Sequence, residues 1–269
     1  RVLRHVSNAF VEDPLRVLRV SRFKAKLHDL NFKIAPETKK LLEEIVESGE
    51  LKTLVPERIW QETYKALCEQ RFDQFFQTLI DLRALGQIFP EITHMNSGFS
   101  ENHIVQAAIK KEVSPKIKFC ALFLVMLEDN HQSLKDVIMT MQERMNIPND
   151  FKNLVLLVEN IYPMLFSSDS NEKKEFSAEQ YLNIIEKLDA LRKPSNLEEL
   201  LEVISLKKDY SNIETTVSLI RKSLVLAQSV KINNLQEDGL EGSAIGEKLR
   251  ELRLNKIKEE LKHPKQAYR

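Results

Sequence analysis

The sequence predicts an all-α protein, and three observations carry that expectation. Glycine and proline are scarce, six and nine in 269 residues, so few positions interrupt a helix. Long stretches rich in Leu, Ile, Val, Lys and Glu dominate the composition. Their apolar residues recur at helical spacing, as in Phe72, Phe75, Phe76, Leu79 and Ile80. Start and stop signals frame several of these stretches, with Pro36-Glu37 and Pro56-Glu57 at openings and Ser48-Gly49 at a close.

Taken in order, the first helix is expected over 13–28. Pro14 suits the first helical position, where its missing N–H costs nothing, and Asp13 then falls at the N-cap. His28 to Ala35 reads as a turn and a short extended stretch. A second helix opens at Pro36, runs to about Val46 and closes at Ser48-Gly49. A third runs from Pro56 through Cys68, and a fourth from Phe72 to Leu85, stopped by Gly86 and Pro90. Residues 93–100 are small and polar without a period, which marks a linker. Two or three helices follow over 101–145. Asn146 to Asp150 forms a turn, with Asn149 or Asp150 capping a helix through Ile161. Residues 166–176 read as a loop. Helices around 178–190, 195–207 and 211–230 come next, then a basic helix over about 243–262. The resulting division is a helical domain at 1–92, a second at 93–210 and a helical tail at 211–269.

Forty basic and forty acidic residues cancel, which argues against a uniformly basic nucleic-acid coat. The distribution is uneven. Residues 1–40 hold ten Arg and Lys against four acids. A local excess of cations on a neutral chain points to a local polyanion site. Cys68 and Cys120 lie in apolar helical contexts and suggest neither a disulfide framework nor a cysteine metal site, so a reducing, cytoplasmic setting is the expectation. No apolar run reaches the roughly 18–20 residues a membrane span needs, and no signal peptide is visible. The chain opens on Arg1, already basic and apolar, and reads as a continuation of a longer protein.

The most informative segment is Glu12-Asp13-Pro14-Leu15-Arg16-Val17-Leu18-Arg19-Val20-Ser21-Arg22-Phe23. Asp13, Arg16, Arg19 and Arg22 repeat every three residues, a spacing that steps about −60° and about 4.5 Å per member on a helix. They form a slanted stair while Leu15, Leu18 and Ala25 anchor the rod. A carboxylate followed by guanidinium forks suits a planar base edge with phosphates beside it. On spacing alone, a capped helix with a solvated cationic face fits equally well.

Together with Leu3-Arg4-His5-Val6-Ser7-Asn8-Ala9-Phe10, this segment resembles the neck of bacterial (class II) CCA-adding tRNA nucleotidyltransferases, which carries a Glu-Asp-x-x-Arg motif followed by further arginines and a Phe. Pro56-Glu57-Arg58-Ile59-Trp60-Gln61-Glu62 is similar to that family's next motif. Leu85-Gly86-Gln87-Ile88-Phe89-Pro90-Glu91-Ile92, Asp189-Ala190-Leu191-Arg192-Lys193-Pro194 and Ala227-Gln228-Ser229-Val230 resemble its long form, which ends in an HD-type domain. The resemblance implies a neck and body over 1–92, an HD-like domain over 93–210 and a tail over 211–269. It implies an enzyme that adds C, C and A to the tRNA acceptor end from CTP and ATP by phosphoryl transfer, with Mg²⁺ held by an N-terminal head. That head's Asp-x-Asp pair and Gly-rich phosphate loop do not occur in these residues, so no catalytic or metal-binding residue is assigned here, and this segment alone is expected to be inactive. By the same resemblance Asp13 and Arg16 would read the base, Glu12 would orient Arg16 or neighbouring groups, and Arg19 and Arg22 would bind phosphates or steady the site. Glu57, Arg58 and Glu62 would support it. Arg58 and Glu62 are expected to pair at i, i+4 and to brace the neck helices. Trp60 and Tyr64 are expected in the core.

The HD-type domain of long relatives is marked by an adjacent His-Asp pair on a helix. Here Leu124-Val125 stands in the corresponding helix, and aliphatic side chains ligate no metal. His94, His103, His131 and His263 show no ligand spacing. The expectation is a degenerate HD-like domain without phosphohydrolase chemistry. A poly(A) polymerase or a partial C- or A-adding member of the same family is the near alternative, and a non-catalytic helical RNA-binding scaffold the distant one. For the basic tail helix, with Lys248, Arg250, Arg253, Lys256, Lys258, Lys262 and Lys265, a solvated face is weighed above contact with tRNA, since Glu247, Glu251, Glu259 and Glu260 are interspersed.

Overall fold

A computed structural model describes residues 1–93, 95, 98–128, 133–166, 176–208, 213–231 and 243–262. Among them the chain forms α1 (Arg16–Leu27), α2 (Pro36–Ser48), α3 (Pro56–Cys68), α4 (Asp73–Asp81), α5 (Leu85–Ile88), α6 (His103–Lys110), α7 (Pro115–Glu128), α8 (Leu134–Met145), α9 (Asn149–Leu165), α10 (Ala178–Lys187), α11 (Ser195–Ile204), α12 (Glu214–Gln228) and α13 (Ser243–Lys262). Two short strands, β1 (Val2–Leu3) and β2 (Lys33–Ile34), pair in parallel. The all-α expectation is met. No described helix is long and apolar enough to cross a membrane.

Local signals account for several boundaries. Pro36 and Pro56 occupy the first positions of α2 and α3. Gly49 takes φ +77° and closes α2, a conformation open to glycine without a Cβ penalty. Ser177 and Gln180 form a reciprocal capping box on α10. Asn149 stands at the start of α9.

Three local readings need correction. Helix α1 starts at Arg16, not at Pro14. The chain turns tightly first, with the Arg16 N–H donating to the Asp13 carbonyl at 3.0 Å, while Asp13 Oδ1 accepts the Leu15 N–H at 3.1 Å. Asp13 therefore caps an opening turn rather than a full α-helical start. The helix expected over 72–85 is broken. Arg83 takes φ +57° and separates α4 from α5. The 93–100 linker is not wholly a solvated connection. Phe99 is buried, with its ring edge-on to Phe76 at 5.8 Å between centroids; residues 94, 96 and 97 lie outside the described residues.

The described chain forms two compact units, Arg1–Glu159 with Glu202–Lys208, and Asn160–Leu201 with Asp209–Arg269. No division falls near the expected boundary at 92, whereas one falls between Lys208 and Asp209, close to the expected boundary at 210. In the first unit α1 packs against α3 and α4. The C-terminal end of α1 is tied down where Arg71 grips buried Asp73 through two hydrogen bonds of 3.0 and 2.8 Å and also reaches Asp29. Arg144 of α8 forks onto both oxygens of Glu91 at 2.8 Å and donates to the Ile88 carbonyl at 2.9 Å. Trp60 of α3 lies edge-on to Phe119 of α7 and Phe151 of α9. The segment up to 92 therefore shares its core with helices α7, α8 and α9. In the second unit Ala178, Leu182, Ala227 and Ile257 form a core between α10, α12 and α13. Arg250 of α13 binds Glu179, Asn183 and Glu186 of α10.

Trp60 is the sole tryptophan and reports on this shared core. A polypeptide ending at residue 95 loses Phe119 and Phe151, so its tryptophan emission is expected to shift to the red and its urea unfolding to lose cooperativity relative to the whole chain. A blue-shifted, cooperatively unfolding 1–95 fragment would restore the boundary at 92.

Candidate nucleotide-recognition site

The segment singled out in the sequence lies at the start of α1, facing the N-terminal half of α3 across a ladder of charges. Glu62 of α3 is the buried member, with its side chain only 5% exposed. Its Oε2 accepts from Arg22 Nε at 2.7 Å, its Oε1 from Lys65 Nζ at 3.3 Å, and Arg19 Nε stands 3.9 Å from Oε1. Burial pushes the Glu62 carboxyl up, but the Arg22 hydrogen bond and the charges of Arg22 and Lys65 together outweigh it and hold the group below its usual range. One turn nearer the start of α1, Asp13 Oδ2 lies 3.3 Å from Arg58 Nη2 and 3.8 Å from Arg19 Nη1. The two oxygens of Asp13 thus have different tasks: one caps the turn and the other faces guanidinium groups.

Arg58 and Glu62 do not pair with each other as i, i+4 spacing suggested. Each reaches across to α1 instead, Arg58 to Asp13 and Glu62 to Arg22. The stair also divides. Arg19 and Arg22 turn toward α3, whereas Arg16 turns toward a groove of about 490 Å³ whose walls include His5, Phe10, Arg16, Arg19, Phe23 and Thr38. The Arg16 guanidinium sits over the Phe10 ring, 5.2 Å from its centroid. Its Nε is buried without a hydrogen-bond partner. Arg22 lies over Phe23 at 4.5 Å. Glu12 is exposed and makes no bond to Arg16. Glu57 is exposed in the first turn of α3 and accepts from Asn146 Nδ2 at 3.2 Å. Tyr64, expected in the core, is exposed on the edge of Phe151, and Cys68 is likewise at the surface.

In the expected HD-like segment, Leu124 and Val125 are both buried in α7. His103 Nε2 faces Glu128 Oε2 at 3.4 Å, and Lys207 Nζ binds Glu128 Oε1 at 2.8 Å. His94, His131 and His263 lie outside the described residues, as does Lys265. No three His, Cys, Asp or Glu side chains among the described residues converge to hold a metal ion.

Sequence reasoning did not assign roles to Phe10, His5 and Thr38. Their link was absent from any local spacing, because Thr38 reaches His5 across 33 residues.

The site is thus a helical module whose first helix sets arginines against acidic partners, and comparison with known proteins gives its family. Residues 31–95 match the family described as the probable RNA and SrmB-binding site of polymerase A, a span that includes α3 with its ladder residues. The chain is 33% identical to a multifunctional CCA protein of Vibrio parahaemolyticus, over 96% of its own length and 70% of the relative's. It is 34% identical to a CCA-adding enzyme of Coxiella burnetii, over 96% of the chain and 64% of the relative. The chain belongs to the family of CCA-adding enzymes. Among solved structures its fold resembles a CCA-adding enzyme in complex with ATP (TM-score 0.66, 18% identity, 96% of this chain and 59% of that one). It also resembles the Thermotoga maritima CCA-adding enzyme complexed with tRNA (TM-score 0.54, 19% identity, 96% and 60%). The chain thus spans less than two thirds of these solved structures.

The ladder's members differ in burial, and stability measurements should separate them. Arg22→Met leaves Glu62 buried without its principal partner and is expected to cost about 3 kcal/mol in urea unfolding. Arg58→Ala breaks a pair whose side chains are 44% and 27% exposed and is expected to cost less than about 1 kcal/mol. Because the folded-state pKa of Glu62 is depressed, its contribution is complete above the unfolded value of about 4.3. That contribution is lost as pH falls through the folded value. Glu62→Gln is therefore expected to be less stable than the parent at neutral pH, with the gap narrowing only below about pH 4.3.

Proposed function

We propose that this chain supplies base selection and tRNA binding to a CCA-adding tRNA nucleotidyltransferase, a cytoplasmic enzyme that uses CTP and ATP to build or repair the 3′-CCA end. The observation that carries this reading is the pairing of roles at the start of α1. Asp13 presents a carboxylate oxygen beside the helix start, and Arg16 presents a guanidinium that no carboxylate among the described residues neutralises.

The chemistry of the bases explains why such a pair selects C and A. Both carry an exocyclic amine next to an unprotonated ring nitrogen. A carboxylate accepts from the amine and a guanidinium donates to the ring nitrogen. Uracil and guanine reverse that edge and would leave Asp13 facing a carbonyl and Arg16 facing an N–H. Unpaired polar groups in a closed site are costly enough for discrimination of up to ~10⁴-fold. Arg19 lies between the ladder and the groove and is the member we assign to phosphate. Arg22, held by Glu62, steadies the helix, and Arg58 supports the arrangement from α3 through Asp13, whereas Glu57, bonded to Asn146, is left without the supporting role that the resemblance implied. Glu12 is exposed and is given no part in orienting Arg16.

The described residues do not fit Mg²⁺, since they offer no convergent ligand set. We assign the metal ions and the reacting carboxylates to a nucleotidyltransferase head such as the family resemblance implies, and no step of the transfer to residues of this chain. The buried Leu124 and Val125 likewise support an HD-like domain kept as fold without hydrolytic chemistry. A poly(A)-synthesising activity is the second reading, favoured by the polymerase A description of the matched RNA-binding family.

The test uses the natural polypeptide and a tRNA ending before its CCA. Supplied with each labelled nucleotide in turn, it is expected to incorporate C and A only. Asp13→Ala is expected to lower the preference for CTP and ATP over UTP and GTP by at least about tenfold while retaining tRNA binding. Unchanged selection by Asp13→Ala would reduce Asp13 to a turn cap. Repeated addition of A alone would establish the second reading.

A further inference from the structure

The three arginines of α1 are held in different ways. Arg19 and Arg22 are answered by carboxylates. Arg16 has none. Among the described residues neither a hydrogen bond nor an ion pair orients it, and its Nε is buried and unpartnered. Yet a guanidinium that reads a neutral ring nitrogen must be fixed in plane and angle, because hydrogen bonds weaken steeply off line. A carboxylate partner would fix it but would occupy the donors and neutralise the charge. An aromatic face solves the problem differently. It attracts the flat face of the guanidinium and leaves the in-plane N–H edge open.

Phe10 provides that face. Its ring lies 5.2 Å from the centre of the Arg16 guanidinium and is only 7% exposed. The ring is itself backed. His5 lies against it with centroids 5.7 Å apart. His5 is in turn fixed to Thr38, whose hydroxyl oxygen accepts the His5 backbone N–H at 3.1 Å and lies 2.8 Å from His5 Nδ1. Thr38 is buried in the first turn of α2. A continuous line of contact therefore runs from α2 through His5 and Phe10 to Arg16, and all of these side chains border the same groove.

We propose that Phe10 is a positioning residue for Arg16, held in place by His5 and Thr38, and thereby a determinant of base selectivity. This rests on the reading of Arg16 as a base-edge donor. Removing the aromatic face lets the guanidinium swing, which weakens the contact made to the correct base and blurs the penalty against the wrong one.

The experiment measures kcat/KM for all four nucleotides on a tRNA lacking CCA, using the natural polypeptide and the variants Phe10→Leu, Phe10→Tyr, Arg16→Ala and the double variant Phe10→Leu/Arg16→Ala, with melting temperatures recorded alongside. Phe10→Leu is expected to lower the selectivity ratio about tenfold, as loss of a desolvated cation–π contact implies. Phe10→Tyr, which keeps the ring, should retain it. In the Arg16→Ala background Phe10→Leu should cost no further selectivity, whatever it does to stability, because the ring then has nothing to position. Full selectivity in Phe10→Leu, or a loss that simply adds to that of Arg16→Ala, overturns the proposal while leaving the base-reading role of Arg16 intact. Full selectivity in Arg16→Ala overturns that role itself, and the proposal with it.

Discussion

A carboxylate withdrawn from water has to be answered by cations, and the packing of α1 on α3 is organised around that requirement at Glu62. The residue lies on α3 with little solvent, yet its acceptors are met by Arg22 and Lys65, with Arg19 close by. Because the partners sit mainly on α1, the electrostatic solution also fixes the position of α1 against α3. The apolar side of α1, with Val17, Leu18 and Ala25 buried, and Leu15 buried just ahead of it, supplies the bulk of the packing. That packing does not choose a rotational setting as strictly as a hydrogen bond from guanidinium to a specific oxygen. The charge ladder makes that choice, and Asp13 and Arg16 inherit their positions from it.

The same arrangement divides labour among residues of one type. Four arginines stand near one another, at 16, 19, 22 and 58, but their surroundings differ. Arg22 is mostly buried and bound to a buried acid. Arg58 faces a partly exposed aspartate. Arg19 lies between two acids at longer range, and Arg16 meets an aromatic ring and an open groove. The environment, and not the residue type, sets what each guanidinium is bound to.

Much of the helical framework is legible in the sequence because its signals are local. A proline at the first position of α2 and of α3, a glycine with positive φ after α2, and apolar spacing in α4 each act within one or two turns. What sequence spacing misses is the choice among distant partners. Arg58 has Glu62 four residues away but takes Asp13, 45 residues away. Arg144 finds Glu91 across 53 residues and so joins segments that composition separates at a polar stretch. A polar linker signal near 93–100 does not reveal that Phe99 is buried against Phe76. The opening of α1 differs for a related reason: the Asp13 side chain and carbonyl each capture a backbone N–H, and the turn they make is tighter than a regular helical start.

The pairing of β1 with β2 is only two residues long, but it changes the mechanics of what lies between. It joins the chain at Val2–Leu3 to the chain at Lys33–Ile34, so the segment with Asp13, its turn and α1 is enclosed in a closed loop. A helix fastened at one end bends like a cantilever, and its free end wanders most. Here the free end would be the one that carries Asp13 and Arg16. With the clasp shut ahead of that end, and the Arg71 grip behind α1, the segment behaves as a beam supported at both ends.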